Sequence, residues 1–92
     1  SAGWIVVDLK TSYSLTSICQ VFHESSVWKF KVEGSVDKEN WLLLVDKTKG
    51  ASGDVFAESV SGVYRYVKLT VLELKMVFCL LRKICYKWNK CG

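Results

Sequence analysis

Proline is absent from the 92 residues, and histidine and methionine occur once each. Without proline there is no proline-rich linker and no polyproline ligand segment. With one histidine, no glycine-rich phosphate loop and no carboxylate pair at informative spacing, no nucleophile–base constellation forms, so catalysis is not expected. No apolar stretch reaches the ~18 uncharged residues of a membrane span. A signal peptide is also lacking: Ser1-Ala2-Gly3 leads straight into Trp4, a start that reads as a cut inside a larger chain. At 10.5 kDa there is room for one domain and no second core.

Half of the residues are hydrophobic and 13% are aromatic, which excludes a disordered charged tail. The net charge of +4 is unevenly placed. Residues 1–71 are neutral, whereas residues 72–92 carry Lys75, Arg82, Lys83, Lys87 and Lys90 against Glu73 alone. Cysteine is skewed the same way, with Cys19 apart from Cys79, Cys85 and Cys91. The chain therefore divides into residues 1–71 and an atypical basic, cysteine-bearing tail, 72–92. Nucleic-acid binding would rest on that tail charge alone, since no recognised motif accompanies it, and no nucleic-acid partner is expected.

The first segment reads as strands. Trp4 to Leu9 is a short β-rich run, and Leu15, Ile18, Cys19, Val21 and Phe22 suit a largely buried strand. In residues 27–36, Trp28, Phe30 and Val32 alternate with Lys29, Lys31 and Glu33, the period of a strand with one wet face. Asp37 to Asn40 form a turn, because Asp and Asn can bond their own backbone. Trp41, Leu43 and Val45 share a face of the next strand, residues 47–54 read as a flexible loop, and Val55 to Val60 as a further strand. Val67, Leu69 and Val71 then alternate with Tyr66, Lys68 and Thr70. About six short strands without a helix predict an antiparallel β-sandwich. The tail is apolar nearly all round, without clean helical spacing or caps.

Three runs carry a family resemblance. Trp4-Ile5-Val6-Val7-Asp8-Leu9 resembles the W-I-x-V-D-L-G signature of the discoidin, or coagulation-factor type C, superfamily, with Lys10 in place of its glycine. Phe30 to Asp37, followed by Trp41, is similar to that family's Y-x-V-x-x-S-x-D-G-x-x-W hairpin, with Lys38 in place of the turn glycine. Arg65 to Val71 resembles its R-Y-V-R-L-x-V strand. The resemblance covers residues 4–71 and is strongest to carbohydrate-binding modules of bacterial secreted glycoside hydrolases. It implies a galactose-binding-like jelly-roll sandwich, here incomplete. The family's segment ahead of W-I-x-V-D-L, which holds most of a structural calcium site, has no counterpart, so no cofactor is expected. The family's closing T-G and final strand have no counterpart after Val71 either. Read two bases out of frame, the codons of residues 71–77 permit Thr-Gly-Ala-Lys-Asn-Gly. Residues 72–92 are therefore expected to be a frameshifted end, with no native disulfide among the four cysteines.

The resemblance implies non-catalytic glycan binding beside a parent catalytic domain in cis, at an extracellular or cell-surface location. His23 and Glu24 lie where the family's loop meets sugar. A histidine donates to a hydroxyl, and a carboxylate accepts hydroxyl protons. Trp28 is the nearest aromatic for stacking on a pyranose C–H face, although its alternation with Phe30 points inward. Arg65 either reaches the ligand or satisfies Asp8, a carboxylate in an apolar run that needs partners. Trp4, Asp8, Phe30, Trp41 and Tyr66 are expected as structural core. Metal ligation is not expected: the six-residue cysteine spacing with His23 is a poor match to zinc sites. Cys19 and His23 on one strand would lie about 13 Å apart, too far for a dyad. The alternatives are a structural sandwich packed on a catalytic domain, or a protein- or phospholipid-binding discoidin domain. The polar loops at 37–40 and 47–54 weigh against the last.

Overall fold

The computed structural model describes residues 3–72 and the backbone of residues 81–90. It is all-β and antiparallel throughout, with β1 at Gly3–Ser35, β2 at Leu42–Ser59, β3 at Val63–Val71 and β4 at Leu81–Lys90. β1 pairs with each of the others. Its 33 residues would extend to roughly 110 Å as one straight strand. The longest dimension of the molecule is 39 Å, so β1 has to fold back on itself. Its pairing with β3 breaks between Asp8 and Tyr13, where Lys10 takes a φ of 76°.

Two portions result. In the first, residues 3–8 and 30–35 of β1 lie on opposite sides of β3, and residues 42–47 of β2 pair outside 30–34. One row across it reads Ile5, Leu69, Val32, Val45, all facing inward. In the second, residues 15–22 of β1 lie between residues 55–59 of β2 and β4. A single apolar cluster joins the portions. Leu15, Ile18, Phe22 and Phe56 come from the second, and Phe30, Val32, Val67, Leu69 and Val71 from the first. The Phe30 ring lies 5.7 Å from Phe22 and 5.2 Å from Phe56, in tilted geometry. Burying each such side chain contributes about 1.5–3 kcal/mol, which sets these layers face to face. Gln20 is fully buried among them, and its amide finds no hydrogen-bond partner among the described residues.

The connections hold themselves by side-chain bonds. Asp37 accepts hydrogen bonds from the backbone N–H groups of Glu39 and Asn40 and from the Ser35 hydroxyl. The Asn40 backbone bond leads the causes that hold its carboxyl well below the usual range. The Tyr64 hydroxyl donates to the Ser61 carbonyl at 2.7 Å, and its ring lies against Gly34.

Several expectations need correction. Trp4 is 59% exposed and not core. It opens the row Trp4, Thr70, Lys31, which faces away from the cluster, while its neighbour Ile5 faces in. Trp41 and Tyr66 are half-buried, and Asp8 is half-buried in an ion pair; Phe30 alone of the five is fully buried. Leu43 does not share a face with Val45. A register shift lets Glu33 oppose Leu43 while Val32 opposes Val45, so Leu43 turns outward. Residues 47–54 are not a free loop, since Ala51, Ser52 and Gly53 pair with Trp28, Val27 and Ser26. In the tail, residues 81–90 form an antiparallel strand. Cys79, Cys91 and every tail side chain lie outside the described residues, and with them the zinc and disulfide expectations.

Candidate functional site

His23 and Glu24 sit where β1 passes from one portion to the other. Pairing with β2 lapses between Val21 and Ser26, so the backbone bulges and both side chains reach solvent. His23 Nε2 lies 3.2 Å from Glu24 Oε1, with the side chains 40% and 62% exposed. The Glu24 carbonyl accepts a hydrogen bond from Trp28 Nε1 at 3.1 Å, tying this rim to the core. The rim thus offers an imidazole and a carboxylate on an anchored backbone, groups able to donate to and accept from hydroxyls.

Trp28 does not supply the stacking face. It is 5% exposed, and the Phe22 ring stacks on it at 4.2 Å with a 10° interplanar angle. No open indole face remains for a pyranose ring. Arg65 is also engaged. Its Nε and Nη2 donate to Asp8 Oδ1 and Oδ2 at 2.9 and 3.1 Å, a bidentate pair, while the guanidinium lies 5.1 Å from the Tyr66 centroid. Arg65 first, then the Lys10 backbone N–H, holds the Asp8 carboxyl down at about 2. The structure therefore brings His23 and Glu24 together and assigns Trp28 and Arg65 to structural contacts.

A second cluster escaped the sequence reading. Lys68 Nζ lies 4.9 Å from the Trp41 ring and 5.6 Å from the exposed Trp4 ring, on the outer face of the first portion. Leu43, 51% exposed, ends the row Val6, Lys68, Glu33, Leu43 on the same face. The signal was present in parity: Trp4 and Val6 alternate with the inward Ile5 and Val7, as Lys68 does with Val67 and Leu69. Elsewhere, residues 46–50 line a shallow pocket of about 200 Å³. There Asp46 accepts from the Thr48 hydroxyl at 2.6 Å, which with the Thr48 N–H keeps its carboxyl below the ordinary range. Among the described residues no three histidine, cysteine or acidic side chains gather to hold a metal.

No protein family matches the chain by sequence profile, and no curated protein matches it by sequence. Solved structures do match. The chain superposes on CpGH89CBM32-6 of Clostridium perfringens with a TM-score of 0.82 at 16% identity, covering 96% of this chain and 70% of that one. CpGH89CBM32-4 of the same organism, in complex with GlcNAc-α-1,4-galactose, gives 0.73 at 14%, covering 94% and 65%. The C. perfringens enzyme CpGH89, in complex with the same disaccharide as its substrate, gives 0.81 at 20%, with 95% of this chain against 10% of that one. The neighbours are carbohydrate-binding modules attached to glycoside hydrolases, and the likeness shows that this chain has their all-β fold.

Proposed function

We propose that the chain is a non-catalytic carbohydrate-binding module, an accessory of a secreted multidomain glycoside hydrolase. The observation that carries this reading is the fold likeness to CpGH89CBM32-6 across 96% of the chain. His23 and Glu24 are the hydroxyl-binding groups, held 3.2 Å apart on the rim. Such a module concentrates its enzyme on a glycan. Affinity per site is weak, and several modules on one chain supply avidity.

Titration with GlcNAc-α-1,4-galactose, galactose and gluco-oligosaccharides tests the reading, by calorimetry and by amide shifts. Saturable binding is expected for at least one galactose-containing ligand, with shifts at residues 22–27. A hydrogen bond to a charged group contributes ~1.5–3 kcal/mol, so Glu24→Ala should weaken binding about tenfold or more.

A second reading has its own observation. Trp4, Trp41, Lys68 and Leu43 form an exposed apolar and cationic face of the kind that packs on a neighbouring domain. Here the chain is a structural sandwich seated on its parent catalytic domain. A folded chain that gives neither heat nor shifts with the whole panel would favour this role and set aside the first.

A further inference from the structure

We infer that the outer face of the first portion, at Trp4, Lys68 and Trp41, is a second carbohydrate site, and that it takes an acidic pyranose of the hexuronic type. The inference rests on the carbohydrate-binding reading of the chain but not on the His23–Glu24 rim. Two observations carry it. The first is the position of an open ring. A sugar site pairs an aromatic ring with the apolar C–H face of the pyranose and polar groups with its edge. At the rim the nearest indole, Trp28, is buried beneath Phe22. Among the described residues Trp4 is the one aromatic side chain more exposed than buried. It stands on a paired strand, in the ladder that runs from Gly3 opposite Val71 to Asp8 opposite Tyr66, so regular backbone sets its place.

The second observation is charge. Lys68 Nζ is flanked by both indoles, 4.9 Å from the Trp41 ring and 5.6 Å from the Trp4 ring. The ring quadrupoles attract the ammonium without neutralising it. On the same face Lys31 Nζ lies 3.8 Å from Glu33 Oε1, so those two charges offset one another. Lys68 makes no ion pair among the described residues. Its ammonium is the charge this face leaves uncompensated, and it sits against apolar rings where water screens less. A hexuronic residue brings what is missing: a C–H face for the Trp4 indole and a carboxylate on the ring edge for Lys68. A neutral sugar would stack and leave the ammonium without a counter-charge.

The test titrates the full chain with tri-galacturonate and with its methyl-esterified form, at low and at high salt, and follows backbone amide and indole N–H shifts. The ester keeps the same C–H face and lacks the charge. Tri-galacturonate should give saturable shifts at the Trp4 and Trp41 indoles, with an affinity about two- to fivefold above that of the ester. High salt should remove that preference. Trp4→Ala should weaken both ligands about three- to tenfold, and Trp4→Tyr should restore most of the loss. Lys68→Gln should bring the acid down to the ester and leave the ester unchanged. Shifts confined to residues 22–27 would overturn this site and leave the rim reading intact. Shifts at both indoles with none at 22–27 would uphold this site and remove the rim. Equal affinities for acid and ester in the unaltered chain would overturn the acidic assignment. A folded chain with no shift for any acidic or neutral sugar would overturn both sites and leave this face to a neighbouring domain.

Discussion

Two lysines occupy backbone conformations that suit glycine. Lys10 has φ 76° and Lys38 has φ 67°, the positive values found among non-glycine residues of the described chain. Both stand where the discoidin-type motifs place glycine, so the missing glycines noted in the sequence have a physical cost. A side chain in the left-handed region costs roughly 1–2 kcal/mol, against about 0.4–1 kcal/mol of added unfolded-state entropy for glycine. Lys10→Gly should therefore raise stability by about 0.5–1 kcal/mol in urea denaturation, whereas Lys10→Ala should give no gain. Lys38→Gly should gain less, because the Lys38 ammonium also lies 5.7 Å from the Tyr66 ring. Equal midpoints for the glycine and alanine variants at position 10 would remove strain as the cause.

The Asp8–Arg65 pair makes the second prediction at this scale. Asp8 titrates at about 2 in the fold and near 3.8 unfolded. A depressed carboxylate adds stability that is present above the unfolded value and is lost as pH falls through the folded one. The melting temperature should decline between about pH 4 and pH 2. Asp8→Asn should melt lower at neutral pH, where Arg65 loses its charged partner, and should show a shallower acid decline. An unchanged acid limb in Asp8→Asn would assign that decline to other carboxylates.

At the scale of elements, β1 and β3 fit closely at Gly34. A Cβ added to Gly34 would meet Tyr64 Cδ1 at 2.6 Å. Overpacking of this kind costs ~1–3 kcal/mol, so Gly34→Ala should be destabilised by that amount in denaturant melts. Adding Tyr64→Leu should restore part of the loss, because the two positions are in contact and their effects are not additive. Strict additivity would mean that the ring is not what Gly34 accommodates.

Elements were legible in the sequence where periodicity ran unbroken. Phe30, Val32, Val67, Leu69 and Val71 are buried as their alternation required, and the 37–40 turn bonds its own backbone as its residues dictate. Legibility failed where pairing, not composition, decides. A one-residue bulge sent Leu43 to the opposite face from Val45. The polar, glycine-bearing 47–54 stretch became ladder because Ser26 to Trp28 lay alongside it. Within the candidate site, His23 and Glu24 were pointed to by the family resemblance, at the loop between two strands. The loss of Trp28 to the core was foreshadowed by its parity with Phe30. The Trp4–Lys68–Trp41 cluster needs two strands 64 residues apart, from Trp4 to Lys68, to be in register, and no local pattern shows that.

For the whole molecule, pairing is overwhelmingly between distant residues, with Gly3 opposite Val71 and Tyr13 opposite Lys90. Domains built from such pairs fold in milliseconds to seconds, slower than helical bundles. Without proline, the chain has no X-Pro bond to isomerise. Refolding under reducing conditions, followed by tryptophan fluorescence, should therefore finish without the phase of about 10–100 s that proline isomerisation produces. A slow phase that persists at high dilution would point to a misregistered β1 instead.

The central position of β1 has a consequence for the order in which the protein is made. Within this stretch β1 is synthesised ahead of the three strands that pair with it. While residues 15–22 emerge, neither the 55–59 ladder nor β4 yet exists, and Leu15, Ile18 and Phe22 have nothing to cover them. The nascent chain thus carries this apolar surface until residues 55–59 and 81–90 have emerged to pair beside it.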